Sequence, residues 1–316
     1  MRRWTKGMRD AFFDSLFSLA VKDKNLLLLT SDTGAICHDN FREELSAQYM
    51  NVGIAEQNMI GVASGLALSG KKIYVYGIVP FVTMRCYEQI RIDLCCMDLN
   101  VTIVSIGAGL DYSTLGPTHH GYEDISLMRS LPPMKIYSPS DSLIADFICR
   151  NSYKEKGPKY IRLDRTGFPL LYKRQEDIKF ARGFSLLKEG KDVCIIATGR
   201  IVYNALQAAK KLSEFGIDSG VIDIFRIKPI NAGGLWEAVR KNKVVVVLEE
   251  HFLHGGLGSA VSEIISQKPC APLLKLLGIS DFCNEYGNRK QLQALNSLDP
   301  LTVAHQIKDI FKNGKK

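Results

Sequence analysis

Residues 73–105 read IYVYGIVPFVTMRCYEQIRIDLCCMDLNVTIVS. Ile73–Tyr76 is rich in β-branched and aromatic residues and suits a strand, and so does Val101–Ser105. Between them, Tyr87–Met97 has the length and apolar spacing of a helix. Strand, helix and strand in this order make a crossover unit, which joins parallel strands.

The same alternation continues on both sides. Upstream, Asp10–Val21 reads as an amphipathic helix, and Leu26–Thr30 as a strand ending in the turn Ser31-Asp32-Thr33-Gly34. Ala55–Leu68 reads as a helix carrying the small residues Gly61 and Gly65. Downstream come helix Tyr122–Ser130, strand Lys135–Tyr137, helix Ser142–Lys154 and strand Tyr160–Leu163. The expected class is α/β, with doubly wound, mostly parallel sheets covered by helices on both faces.

Gly167–Lys191 breaks the rhythm and reads as a linker plus the first hairpin of a second domain. Strands are then expected at Val193–Ala197, Gly220–Ile224 and Val244–Leu248, with helices at Asn204–Phe215, Leu235–Lys241 and Ser259–Ser266. Gly216 follows the first of these helices as a C-terminal cap. The expected division is 1–170 for a first α/β domain, 171–190 for a linker and 191–316 for a smaller α/β domain. The length of 316 residues agrees with two such units.

Composition narrows the function class. Hydrophobic residues make up 46% and charged residues 23%, a mixture that argues against a disordered or fibrous chain. The longest apolar runs, such as Val244–Leu248, fall well short of the ~20 residues that span a bilayer. The opening MRRWTKGMRD is basic and lacks the apolar stretch of a secretory signal, so a cytoplasmic location is expected. The net charge of +8 comes from scattered basic residues, clustered only at Lys308, Lys312, Lys315 and Lys316. No helix-turn-helix, zinc-finger or aromatic-basic signature accompanies it, which disfavours nucleic acid as a partner. The eight cysteines form no CxxC pair and sit mostly in apolar surroundings, as small buried hydrophobes do in a reducing compartment.

Several segments carry groups capable of chemistry. In Asn51-Val52-Gly53-Ile54-Ala55-Glu56-Gln57-Asn58-Met59, Glu56 falls in the first turn of an otherwise apolar helix. A carboxylate there is favoured by the helix dipole alone; it is also suited to hold a proton against a cofactor ring nitrogen. Gly116-Pro117-Thr118-His119-His120-Gly121 places two histidines on a rigid loop, where one can act as an acid–base group or simply face solvent. No metal-ligand spacing stands out around them. Phe81 and Tyr87 in Pro80–Gln89, taken alone, fit core packing better than cofactor contact. Arg162 and Arg165, at the end of a strand, fit an anion grip or surface ion pairs. The turn Glu249–Gly258 is rich in glycine but has no GxGxxG, and a tight strand–helix connection accounts for it. The roles of Cys37, His38 and His251 stay open at this stage.

In this order, NVGIAEQNM, PFVTMRCYEQIR, GPTHHG, IKPI (Ile227–Ile230) and EEH…HGGLG resemble the C-terminal half of transketolases, which use thiamine diphosphate. The resemblance covers nearly the whole chain. The family's GDG…N motif for diphosphate and magnesium is absent from it, and in the family that motif lies in the preceding domain. The resemblance therefore implies the C-terminal subunit of a split transketolase: a pyrimidine-binding domain plus a C-terminal domain. It would work with a partner subunit carrying the diphosphate-binding domain and the Mg2+ ligands, in an α2β2 assembly. It also implies self-association through the pyrimidine domain.

Roles follow residue by residue. Glu56 matches the glutamate that hydrogen-bonds the aminopyrimidine, and Ile54 lies in the same segment. Phe81 matches the stacking aromatic, Tyr87 another aromatic of that pocket, and Met84 stands where a further aromatic is common. His119 matches the histidine that contacts donor oxygens, and Arg165 an arginine that binds substrate phosphate. Lys6 corresponds to an N-terminal phosphate-site arginine. Leu115 replaces an Asp that reads a donor hydroxyl, and Gly107 replaces a second phosphate-site histidine. Each lost charge-assisted bond removes about 1.5–3 kcal/mol, which points away from an ordinary pentose phosphate and toward a modified or nucleotide-linked sugar, or a simpler ketone donor. The implied reaction is transfer of a two-carbon ketol or acyl unit. The alternatives are the β subunit of a 2-oxoacid dehydrogenase, a pyruvate-using 1-deoxyxylulose-5-phosphate synthase-like enzyme, and an inactive scaffold for a diphosphate-domain partner.

Overall fold

The computed structural model describes residues 6–165, 167 and 169–313. Lys315 and Lys316 of the basic tail, and the first five residues of the basic opening, lie outside them. The strands in chain order are β1 (Leu26–Thr30), β2 (Tyr49–Asn51), β3 (Lys72–Ile78), β4 (Val101–Ile106), β5 (Lys135–Tyr137) and β6 (Lys159–Leu163). They continue with β7 (Phe184–Lys188), β8 (Val193–Ala197), β9 (Ser219–Ile224), β10 (Arg226–Lys228), β11 (Val244–Phe252) and β12 (Leu273–Ile279). Among the described residues, no helix is long and apolar enough to cross a membrane.

The first sheet has the order β10-β5-β6-β4-β3-β1-β2, and the second β12-β11-β8-β9-β7. Both are parallel except at one edge each, where β10 runs antiparallel to β5 and β7 antiparallel to β9. Helices cover both faces, so the α/β, mostly parallel class is correct. The expected hairpin at the start of the second sheet is not formed. β7 enters at the edge and pairs with β9, while β8 takes an inner place between β9 and β11. The apolar run of β8 explains this: all five of its residues are buried, and an inner position covers them on both faces.

The helix expected at Tyr87–Met97 begins as an α-turn and widens into π-helical turns over Ile90–Cys96. Three strands escaped the sequence reading for a shared reason. β2 and β10 have three residues each, too few to show a period, and the exposed–intermediate alternation of β12 is hidden under a nearly continuous Leu run.

The two sheets share one apolar core. It runs from Met59, Val75 and Ile103 beside the first sheet to Ile224, Val245 and Val247 in the second, with Phe184 and Ile227 between them. β10 reinforces the junction: it follows β9 in the chain yet hydrogen-bonds to the first sheet. Two separate clusters fill the outer layers, one under the Phe12–Phe13 helix and one under Val202–Glu214.

Candidate active site

The chemistry-bearing residues gather at the carboxyl edge of the first sheet, where parallel α/β sheets place their ligands. Four connections supply them: those following β2, β3, β4 and β6.

The link after β2 leads into the helix Glu56–Leu68, with Glu56 as its first residue. Only 2% of Glu56 is exposed, and its Oε2 accepts a hydrogen bond from Arg85 Nη1 at 2.7 Å. Arg85 follows β3, and its guanidinium also lies 4.4 Å from the centroid of the Phe81 ring. One planar cation thus touches both the buried carboxyl group and the half-buried ring. Phe81 in turn meets His119 edge-on, with centroids 5.1 Å apart at 72°.

His119 stands on the loop after β4. That loop closes on itself through paired bonds between Gly109 and Gly121, 2.8 and 2.9 Å long. The Nδ1 of His119 pairs with Thr118 Oγ1 at 2.9 Å, and burial lowers its pKa. His120 is enclosed: its Nδ1 meets Tyr122 Oη at 3.1 Å and its Nε2 the Ser113 carbonyl at 3.4 Å. Of the two histidines in GPTHHG, His119 alone keeps a nitrogen without a protein partner among the described residues.

Beyond His119 lies Tyr112, at 5.8 Å between ring centroids, and over Tyr112 lies the Arg165 guanidinium at 4.1 Å. Asp111 anchors Arg165: its Oδ2 accepts the Arg165 backbone N–H at 2.9 Å, and its carbonyl accepts Nη2 at 3.3 Å. Burial and the neighbouring Asp164 push Asp111 up to about 6.

The second sheet holds this loop from behind. Arg289 Nε donates to both oxygens of Glu250 at 3.1 Å, Nη2 reaches the Ala108 carbonyl at 3.4 Å, and Nη1 lies 3.5 Å from Asp111 Oδ1 and pairs with Asp164. Glu250 Oε2 also accepts the Leu110 N–H at 3.3 Å. Burial opposes charge on Glu250, but Arg289 and Gln293 outweigh it and hold the group near 2.

The structure therefore brings Glu56, Phe81, His119 and Arg165 into one line, joined by Arg85 and Tyr112. Ile54, Met84 and Leu115 are exposed on the same strand-end loops. The Tyr87 hydroxyl turns instead to the helix Asp124–Arg129 and its end, bonding the Leu127 carbonyl at 3.2 Å and Ser130 Oγ at 2.5 Å. Lys6 pairs with Asp14, while its neighbour Gly7 abuts the Arg165 carbonyl so closely that a Cβ there would lie 2.7 Å from the oxygen. Gly107 faces Tyr112.

Of the three residues whose roles the sequence leaves open, His38 and His251 are fully buried and Cys37 is half-buried. His38 is enclosed by the rings of Phe13 and Tyr76, each 4.5 Å away, and burial drops its pKa to about 3. Burial pushes the Cys37 thiol up to about 12. His251 Nδ1 donates to the Phe252 carbonyl at 2.7 Å, and its Nε2 faces the Ser126 N–H at 3.4 Å, between the two sheets. Arg85, Asp111, Tyr112 and Arg289 are the site residues that sequence reading missed. Arg85 and Tyr112 do sit inside or beside the motif segments, but nothing in their spacing marks them.

A buried carboxyl group and an aromatic face bridged by one planar guanidinium offer the two contacts that suit an aminopyrimidine ring. Among the described residues, no group of three or more His, Cys, Asp or Glu side chains is placed to hold a metal ion.

Residues 5–169 match the transketolase pyrimidine-binding domain family and residues 184–303 the transketolase C-terminal domain family, so the chain belongs to the transketolase family. It is 36% identical over 293 residues to one of the subunits of the apulose-4-phosphate transketolase of Phocaeicola vulgatus, covering 92% of this chain and 93% of that protein. It is 33% identical to the 6-deoxy-6-sulfo-D-fructose transketolase subunit of a Clostridium species, covering 95% of this chain and 94% of that one. A solved split-gene transketolase, described as an inactive β4 tetramer, superposes with a TM-score of 0.88 at 34% identity, covering 98% of this chain and 99% of the other. In extent and domain order the chain is the C-terminal subunit of a split transketolase, a transferase, and the family implies thiamine diphosphate as its cofactor.

Proposed function

We propose that this subunit, joined to a partner carrying the diphosphate-binding domain, transfers a two-carbon ketol unit from a ketose donor to an aldehyde acceptor. The carrying observation is the shared contact at Arg85. A planar cation lies on the Phe81 ring with one edge on the buried Glu56 carboxyl, the same pair of contacts that an aminopyrimidine requires.

When bound, thiamine diphosphate supplies an acidic carbon and an electron sink for breaking a carbon–carbon bond. The protein's own groups do the rest. Glu56 holds a proton against a ring nitrogen, and Phe81 fixes the ring plane. His119, tied at Nδ1 by Thr118 and with its pKa lowered by burial, offers Nε2 to a substrate oxygen. Arg165 holds the anionic end of the sugar, with Gly7 against its backbone carbonyl. Leu115 offers no polar atom to a donor hydroxyl. The names of the two relatives carry a phosphate on apulose and a sulfonate on a deoxyhexulose, which supports an atypical sugar ending in an anion.

In this reading Mg2+ and its ligands belong to the partner, the active form is an α2β2 heterotetramer, and the setting is the cytoplasm. Alone, the chain self-associates through the pyrimidine domain. The Gly61 and Gly65 face supports this, since a Cβ at either position would meet no atom within 4 Å, and so does the similarity to a β4 tetramer.

The test is co-expression with the diphosphate-domain subunit, followed by hydroxypyruvate, xylulose 5-phosphate and pyruvate as donors, with and without thiamine diphosphate. Cofactor-dependent turnover of a ketol donor supports the proposal. Turnover of pyruvate alone favours a 1-deoxyxylulose-5-phosphate synthase-like reaction, and oxidative transfer to a lipoyl carrier favours a 2-oxoacid dehydrogenase. A complex that binds no cofactor reduces the chain to a scaffold.

A further inference from the structure

β4 is followed directly by Gly107, whose φ of +99° is a conformation that side-chain-bearing residues avoid. A Cβ at Gly107 would lie 2.3 and 2.4 Å from Cδ2 and Cε2 of Tyr112. A side chain at 107 and the ring at 112 therefore compete for one volume, and in this chain Tyr112 fills it. The ring reaches in from the loop and lies between the Arg165 guanidinium at 4.1 Å and the His119 ring at 5.8 Å. The ring is half-buried. Asp111, the preceding residue, holds Arg165 by both its carboxylate and its carbonyl, so the ring and the arginine are positioned by one short stretch of chain.

We propose that Tyr112 is a specificity-determining residue that closes the anion end of the substrate pocket and selects short acceptor aldehydes bearing a terminal phosphate or sulfonate over longer linear sugar phosphates. The inference rests on the functional reading above. Two physical consequences of the ring lead to it. The ring replaces a potential hydrogen-bond donor at 107 by an apolar wall, so an anion beyond His119 meets the free edge of one guanidinium rather than a ring of donors. It also covers one face of that guanidinium, which fixes its plane and shortens the distance from His119 at which an anion can be gripped. Arg9 adds positive potential near Tyr112.

The test uses the assembled two-subunit complex with hydroxypyruvate as donor and either glyceraldehyde 3-phosphate or ribose 5-phosphate as acceptor. The wild type is expected to favour the three-carbon aldehyde in kcat/KM by about tenfold or more, the scale of a shape mismatch in a rigid pocket. Tyr112→Ala is expected to shrink that ratio about tenfold by opening the volume. Tyr112→Phe, which keeps the wall and the stack, should retain it. Thiamine diphosphate affinity is measured on the same samples. Cofactor-dependent turnover with a ratio that Tyr112→Ala leaves unchanged overturns the assignment of Tyr112 alone. Absence of cofactor-dependent turnover in the wild-type complex overturns the functional reading, and the assignment with it.

Discussion

Arg85 Nη1 lies 2.7 Å from Glu56 Oε2, and its side chain is 44% exposed while that of Glu56 is 2% exposed. The buried partner is fixed by its helix, and the exposed one is free to leave. Because the same guanidinium lies on Phe81, a cofactor ring and Arg85 cannot hold these contacts together. Arg85→Ala should therefore strengthen thiamine diphosphate binding to the assembled complex. A partly exposed pair contributes about 1 kcal/mol at most, so the expected gain is about two- to fivefold in calorimetric titration. Weaker binding would instead make Arg85 a cofactor ligand.

Glu56→Gln keeps the shape and removes the exchangeable carboxyl proton. The expected loss in kcat is about 10²–10⁴-fold, the usual scale for a positioned acid–base group, with the two-subunit complex still intact by size-exclusion chromatography. Unchanged turnover would remove Glu56 from the mechanism.

Asp111 and Arg289 carry the hold of the second sheet on the pocket. Asp111→Ala frees the Arg165 backbone N–H and leaves Arg289 with Glu250 and Asp164 as its carboxylates. A buried donor left without its acceptor costs about 1–3 kcal/mol. The expected outcome is a KM for phosphorylated acceptors about tenfold higher, on the same scale, with cofactor affinity retained. Equal loss of both would show general damage to the loop, and a thermal melt of the complex would report it.

Asp223 makes the stability of the chain depend on pH. Its Oδ2 accepts from Ser140 and, at 2.8 Å, from Tyr172, while Oδ1 has no partner among the described residues. Burial pushes its pKa up to about 7 against those two donors. A carboxyl group raised in the folded state binds its proton more tightly there than in the unfolded chain. Its stabilisation is therefore complete below the ordinary value of 3.8 and is lost as pH rises through about 7. Melting temperatures taken from about pH 4 to 8 should decline less steeply in Asp223→Asn than in the wild type. Identical slopes would place the titration elsewhere.

The amino-acid sequence by itself determined the parallel α/β class and the candidate carboxylate, aromatic and histidine of the site. The physical reason is that these are local. Buried strands such as β8 and β11 are short continuous apolar runs flanked by helical patterns, and Glu56, Phe81 and His119 each sit in a segment where a strand ends. What only the tertiary structure decided is which groups meet. Arg85 reaches Glu56 across 29 positions, and Arg289 reaches Asp111 across 178. β10 leaves its neighbours in the chain to pair with β5, and Tyr112 takes the volume that Gly107 leaves open. Such contacts are made by side-chain direction and by shared space between distant segments, and neither leaves a period or a spacing in the chain.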